Sequence, residues 1–287
     1  MGRGRQGVSA RSHRSSPASR LGRSGLLAVY AVLIAVPLVV VVATSLKSTP
    51  QLYADPIGLP KPPTPANFAT LLGDSRIGRS FLNSVVVTAF SVTLTLAVSS
   101  WASFAISRIR GWLGITLFAL FAAGLAVPAQ VAMIPQYVIF RQLGLTDSLV
   151  GLIIINIAVT CPVAVFIMTG FFATLPQELF EAARIDGAST WRIYRSIALP
   201  LALPSVAAVS IFLFVMHWND LLYPLLFITS PDQETLPKTL LDFRGEYTTN
   251  YTLLFAGVLI ASAPMVLAYV ALQRYFVAGL TAGATKG

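Results

Sequence analysis

Charge is what this sequence has least of. Its 287 residues hold 20 Lys and Arg and 11 Asp and Glu, 11% in all, less than half the roughly 25% of a soluble domain. With 55% hydrophobic residues and a mean hydropathy of +0.75, the chain has more apolar surface than one water-facing core can hide. A soluble enzyme is excluded. Cysteine is nearly absent, and Cys161 alone rules out a disulfide framework or a Cys-rich zinc or iron–sulfur site. The histidines are His13 and His217, and there is no H-E-x-x-H, G-x-S-x-G or G-x-x-x-x-G-K-[ST] string. Nothing therefore supports a metal centre, an acyl-transfer elbow or ATP hydrolysis by this chain. The net charge of +9 sits beside apolar runs instead of on a polar face, which argues against a nucleic-acid partner.

What the sequence has in plenty is long uncharged runs, at 26–46, 80–107, 111–140, 148–177, 196–219 and 247–273. Each is long enough for a helix to cross about 30 Å of hydrocarbon. The spacing predicts an all-α integral membrane protein with six transmembrane helices, their cores at 25–46, 82–106, 113–136, 149–173, 205–229 and 252–273. The first run exceeds the roughly 7 to 15 residues of a signal-peptide core, so it is read as a retained span. The domain plan is a disordered basic tail at 1–24, a six-helix transmembrane domain at 25–275 with a loop at 175–200, and a C-terminal tail at 276–287. The tail arginines, Arg108, Arg110, Arg184, Arg192, Arg195, Arg274 and Lys286 fall on one side of the membrane and outnumber the basic residues opposite. By the positive-inside rule both termini are cytoplasmic. On the outer side, the Pro-rich stretch 47–79 reads as an extended connector, and 230–250 as an ordered loop able to touch an external partner.

The loop between spans four and five carries the strongest pattern. Pro176 suits a first helical position, Glu178 and Glu181 fall in the early turns, and Gly187 can stop a helix at positive φ. A short helix outside the membrane is predicted, with Leu179, Ala182 and Ala183 on one apolar side. Ser189 to Pro200 then leads back to the bilayer. On periodicity alone this region also fits an amphipathic helix lying at the interface.

Glu181-Ala182-Ala183, then Gly187, then Ile197, Leu199 and Pro200, resemble the E-A-A…G…I-x-L-P loop of binding-protein-dependent ABC importer permeases. Asn83-Ser84, Ile134-Pro135 and Trp218-Asn219-Asp220 resemble the carbohydrate-uptake branch. The residues from Leu272 to Gly287 are similar to the tail of the smaller membrane subunit of maltose-type transporters. The resemblance implies that Glu181, Ala182, Ala183, Asp186, Gly187, Ile197, Leu199 and Pro200 form a coupling helix and its flank, seated on a cytoplasmic ATPase subunit. It also implies a tail contact to the ATPase through Gly279, Thr281 and Gly283. The partners implied are a second permease, an ATPase dimer that holds ATP and Mg, and an extracytoplasmic sugar-binding protein, around a chain in the bacterial plasma membrane with no cofactor or metal of its own.

Polar residues within the spans are the candidates for a solute path. Asn156 and Thr160 share a helix face at i and i+4. His217, Trp218, Asn219 and Asp220 place an amide, an acid and an aromatic near the middle of the fifth expected span, where such groups are costly unless they face protein or a wet cavity. The alternative to an ATPase-driven importer is an ion-coupled secondary transporter, for which Asp220 is the candidate coupling acid.

Overall fold

The computed structural model describes the backbone of residues 17–245 and 249–284 and the side chains of residues 23–245 and 249–271. Helix α1 (Pro17–Ser45) is followed by the short α2 (Thr49–Ala54) and α3 (Ala66–Gly73), then by the long α4 (Ser75–Arg108). Next come α5 (Trp112–Ala126), α6 (Ala129–Gln142) and α7 (Leu149–Ala173). The short α8 (Gln177–Ile185) and α9 (Thr190–Ile193) lead through a π-helical turn, Tyr194–Ala198, into α10 (Leu199–Trp218). The chain ends with α11 (Leu222–Phe227), α12 (Leu236–Leu240) and α13 (Tyr251–Ala284). Among the described residues the β content is one isolated bridge, Arg244 to Thr249.

Among the described residues five helical stretches are long and apolar enough to cross a membrane, and the bent pair α5 and α6 makes up to a sixth. α4 and α7 form the centre of the bundle, with α10 against both. Ser80, Ser84, Thr88, Ser91, Thr95, Ser99 and Ser103 are all buried along α4. Their spacing of three or four puts them on one helix face, and small side chains let two backbones approach closely. Ser103 Oγ donates to the Val165 carbonyl at 3.2 Å, and Asn156 Nδ2 donates to Ser91 Oγ at 3.3 Å, so the hydroxyls also link α4 to α7. α1 packs on α13 and leaves nearly all of its apolar surface outward, as a lipid-facing helix does.

Several expectations are corrected. The third span, expected as one helix over 113–136, is broken by a 99° bend between α5 and α6. Pro128 supplies the reason: it disfavours helix for the residue before it, and Val127 is extended at φ −90°, ψ 114°. The fifth span, expected at 205–229, lies at Thr190–Trp218. Arg192 and Arg195 stay exposed in its first turns while Ser189 Oγ accepts from the Arg192 N–H at 3.3 Å, so charges that bound the apolar run do not bound the helix. His217, Trp218, Asn219 and Asp220 are consequently at a helix end and not mid-span. The stretch 47–79 is folded, not extended, because Lys47 is buried and its Nζ donates to the Asp55 carbonyl at 2.7 Å and that of Pro56 at 3.3 Å. At the chain ends, the helix of the first span begins at Pro17, residues 1–16 of the expected tail lie outside the described residues, and α13 runs on through the expected tail to Ala284.

Candidate functional site

At one end of the bundle α8 stands off the spans as a short rod with two unlike faces. Phe180 and Ala183, one turn apart, are buried among Phe104, Met168, Phe172, Ile193 and Tyr194. Arg108, the last residue of α4, holds its guanidinium 4.4 Å from the centre of the Phe180 ring and donates to the Phe172 carbonyl. One cation thus ties α8 to the ends of α4 and α7, and a stacked cation of this kind contributes about 0.5 to 2 kcal/mol. Phe104 packs edge-on to both Phe172 and Phe180, at centroid distances of 5.9 and 6.0 Å. Tyr194 of the π-helical turn shares a 2.6 Å hydrogen bond with Ser100 of α4.

The rod ends as its sequence predicts. Gly187 has φ +76°, its N–H donates to the Arg184 carbonyl at 3.0 Å, and the Ala188 N–H reaches back to that of Ala183 at 2.9 Å. This pair of bonds is the Schellman stop, which requires a left-handed residue at the position of Gly187. The expected apolar side is corrected: Phe180 and Ala183 face inward, whereas Leu179 and Ala182 point out with Glu178, Glu181, Ile185 and Asp186. The named coupling residues therefore divide. Glu181, Ala182, Asp186 and Gly187 are exposed, with Glu181 accepting from Gln177 Nε2 at 2.6 Å. Ala183 is buried, Ile197 and Leu199 pack against the same cluster, and Pro200 is exposed in the first turn of α10. Gly279, Thr281 and Gly283 lie on the α13 backbone, and their side chains fall outside the described residues.

The polar candidates meet toward the other end of the bundle, and only in part. Asn156, Thr160, His217 and Asp220 line one cavity of about 170 Å3 together with Gln130 and Tyr223. Thr160 Oγ1 donates to the Asn156 carbonyl at 2.6 Å and lies 3.4 Å from His217 Nε2. Trp218 points elsewhere, donating from Nε1 to the Ala261 carbonyl of α13 at 2.8 Å. Asn219 also leaves the group, its amide bonded to the Val215 carbonyl at 2.8 Å and its side facing a separate groove with Arg244. Asp220 Oδ1 accepts from the N–H groups of Leu222 and Tyr223 at 3.1 and 3.4 Å, which caps the start of α11. Tyr223, which sequence reasoning missed, donates from its hydroxyl to Gln136 at 2.9 Å.

Beyond this cavity the segment from Thr229 to Leu240 is clamped onto α4 and α7. Asn83 Nδ2 donates to the carbonyls of Asp232 and Glu234 at 2.9 and 2.8 Å, and Ser84 Oγ accepts from the Leu236 N–H at 2.8 Å. Arg76 pairs with Glu234 at 2.7 Å and also with Asp242, and Arg79 pairs with Asp232. Asp147, ahead of α7, accepts from the N–H groups of Thr229 and Ser230 at 2.9 and 2.8 Å and from the Ser230 hydroxyl. The Ser230 hydroxyl first, then these backbone bonds, hold its carboxyl at a pKa of about 2. The signal for this clamp was the Asn83-Ser84 pair, which the sequence shows without its partner.

The model of the family described as "Binding-protein-dependent transport system inner membrane component" matches residues 95–282. The chain is 34% identical to the melibiose/raffinose/stachyose import permease protein MelC of Bacillus subtilis (strain 168), over 88% of this chain and 91% of MelC. It is 31% identical to the diacetylchitobiose uptake system permease protein NgcG of Streptomyces coelicolor, over 90% of this chain and 86% of NgcG. Its fold matches a chain of a bacterial ABC transporter involved in import of the acidic polysaccharide alginate, at TM-score 0.78 and 22% identity, covering 91% of this chain and 99% of that one.

Proposed function

Since the chain belongs to the family of binding-protein-dependent transport system inner membrane components and is the permease subunit of an ABC importer, we propose that its solute is a sugar or sugar-like molecule and that α8 is its coupling helix. Its relatives MelC and NgcG are named for oligosaccharide uptake, which supports the solute class. In this reading the bent pair α5 and α6 is one span, six spans cross the membrane, and both termini are cytoplasmic on the α8 side, in a bacterial plasma membrane.

The working assembly is this chain, a second permease, two ATPase subunits that bind ATP and Mg, and an extracytoplasmic binding protein that docks near the segment at 229–240. Residues 276–287 add a second ATPase contact. Hydrolysis is done by the ATPase subunits, and this chain is the part that moves. The Asn156, Thr160, His217 and Asp220 cavity is this chain's polar contribution to the path between the two permeases, and Trp218 and Asn219 act as supports of the helix end.

The observation that carries the reading is the division of α8 into an exposed face and an anchored one. A rod transmits displacement only if it cannot slip on its mount, and densely packed interiors move as rigid bodies. Phe180, Ala183 and Arg108 provide the mount on α4 and α7, and Glu181, Ala182 and Asp186 remain free for a socket. When ATP closes the ATPase dimer, the socket displaces α8 and with it the spans, and hydrolysis resets them. The test is Glu181→Arg in the assembled importer, reconstituted with its binding protein. ATP turnover should persist while uptake per ATP falls at least tenfold. Unaltered uptake would overturn the assignment, as would uptake that responds to ionophore and not to ATP depletion.

A further inference from the structure

The polar cleft adjoins a small recess where α4, α7, the break between α10 and α11, and the segment ahead of α12 meet. Its polar lining is Ser84, Thr88, Asn156, His217, Asp220 and Thr235. About 10 Å3 is open there to the centre of a water molecule, which is room for one. Thr88 and Thr235 are 2% and 4% exposed. Among the described residues four buried hydroxyls have no hydrogen-bond partner within the protein, and these two are the pair that lines this recess. A buried hydroxyl without a partner is destabilising, and native proteins normally supply one, often as an internal water.

The remaining groups are already engaged on one side. Ser84 Oγ accepts from the Leu236 N–H at 2.8 Å, and Asp220 Oδ1 accepts from two backbone N–H groups. Thr160 commits its single proton to the Asn156 carbonyl, so in the contact at 3.4 Å His217 Nε2 is the donor. A bare cation could take up the lone pairs of Thr88 and Thr235 but would leave both hydroxyl protons unpaired. A molecule that both donates and accepts meets every need.

We propose that this recess is the fixed site of one water molecule, bonded to the hydroxyls of Thr88 and Thr235 and joining α4 to the outer segment beside Asp220. This goes beyond the transport reading and does not depend on which solute is carried. The test is a density map of the assembled importer in lipid nanodiscs, at a resolution that shows ordered waters, together with melting of variants. One density within hydrogen-bond reach of both hydroxyls is expected. Thr88→Val should lower the melting midpoint by about 2 to 4 °C, because it leaves the water short of a partner. Thr88→Ser, which keeps the hydroxyl, should melt like the parent and shows that the site tolerates a change there. An empty recess, or a Thr88→Val variant that melts higher because an unpaired hydroxyl has been removed, would overturn the proposal. A midpoint that rises when sodium replaces choline in the buffer would identify a cation and overturn it equally.

Discussion

The two ends of this bundle are fastened by different chemistry. Around α8 the joint is dry and aromatic, built from Phe104, Phe172, Phe180 and Tyr194 with Arg108 laid on one ring. Around the segment at 229–240 an apolar contact of Leu236 and Leu240 with Leu71, Ile77 and Trp218 is joined by polar ones, from Asn83, Ser84, Asp147 and the pairs of Arg76 and Arg79 with Glu234 and Asp232. Packed rings resist displacement in every direction, whereas the exposed pair of Arg79 with Asp232 exchanges readily with water. In the proposed reading, the difference suits the α8 end to transmit force and the other end to let go of a docked surface.

The sharpest way to break this contrast is Phe180→Ala. It empties the centre of the dry joint and should cost about 3 to 5 kcal/mol, read as a lower melting midpoint and a loss of uptake per ATP hydrolysed. If coupling survives that loss, the rigid-mount account fails. At the polar end Asn83→Ala frees two carbonyls, and should cost about 1 to 2 kcal/mol. Its mark should be faster proteolysis within 229–240 with coupling at α8 intact. Gly187 comes next. An added Cβ there meets nothing within 4 Å, so Gly187→Leu should suffer only from its positive φ, by about 1 to 2 kcal/mol. Gly187→Asn should be milder, and equal defects in the two variants would mean that contact with the socket, not backbone strain, sets the requirement.

The smallest effect is the pH response of Asp147. Its folded pKa of about 2 lies below the ordinary 3.8, so its contribution is present above about pH 4 and is lost as pH falls through 2. Asp147→Asn should remove that acid-side change in the protection of 229–240 and leave the α8 end untouched.

How far this was legible differs from residue to residue. Pro176 and Gly187 announced α8 because the rules for helix ends are local and need no neighbour. The buried face of α8 is not legible locally for the opposite reason: Leu179 and Phe180 are both apolar, and only the position of Phe104 and Arg108 selects the ring as the buried one. Lys47 reads in sequence as a loop charge, and it is buried because the carbonyls of Asp55 and Pro56 fold back over its ammonium. The span expected at 205–229 lies at Thr190–Trp218 because charge bounds an apolar run, while a helix ends where its backbone is capped.

Composition and local rules were enough to settle that the chain lives in lipid and that a capped rod follows α7. Solvent preference and helix termination are properties of short windows, so a string of letters contains them. Which ring anchors the rod, which polar groups share a cavity and what holds the segment at 229–240 down depend on residues far apart, as Asn83 is from Glu234. Those pairings follow from how the helices pack, and the fold alone brings them within reach of a hydrogen bond.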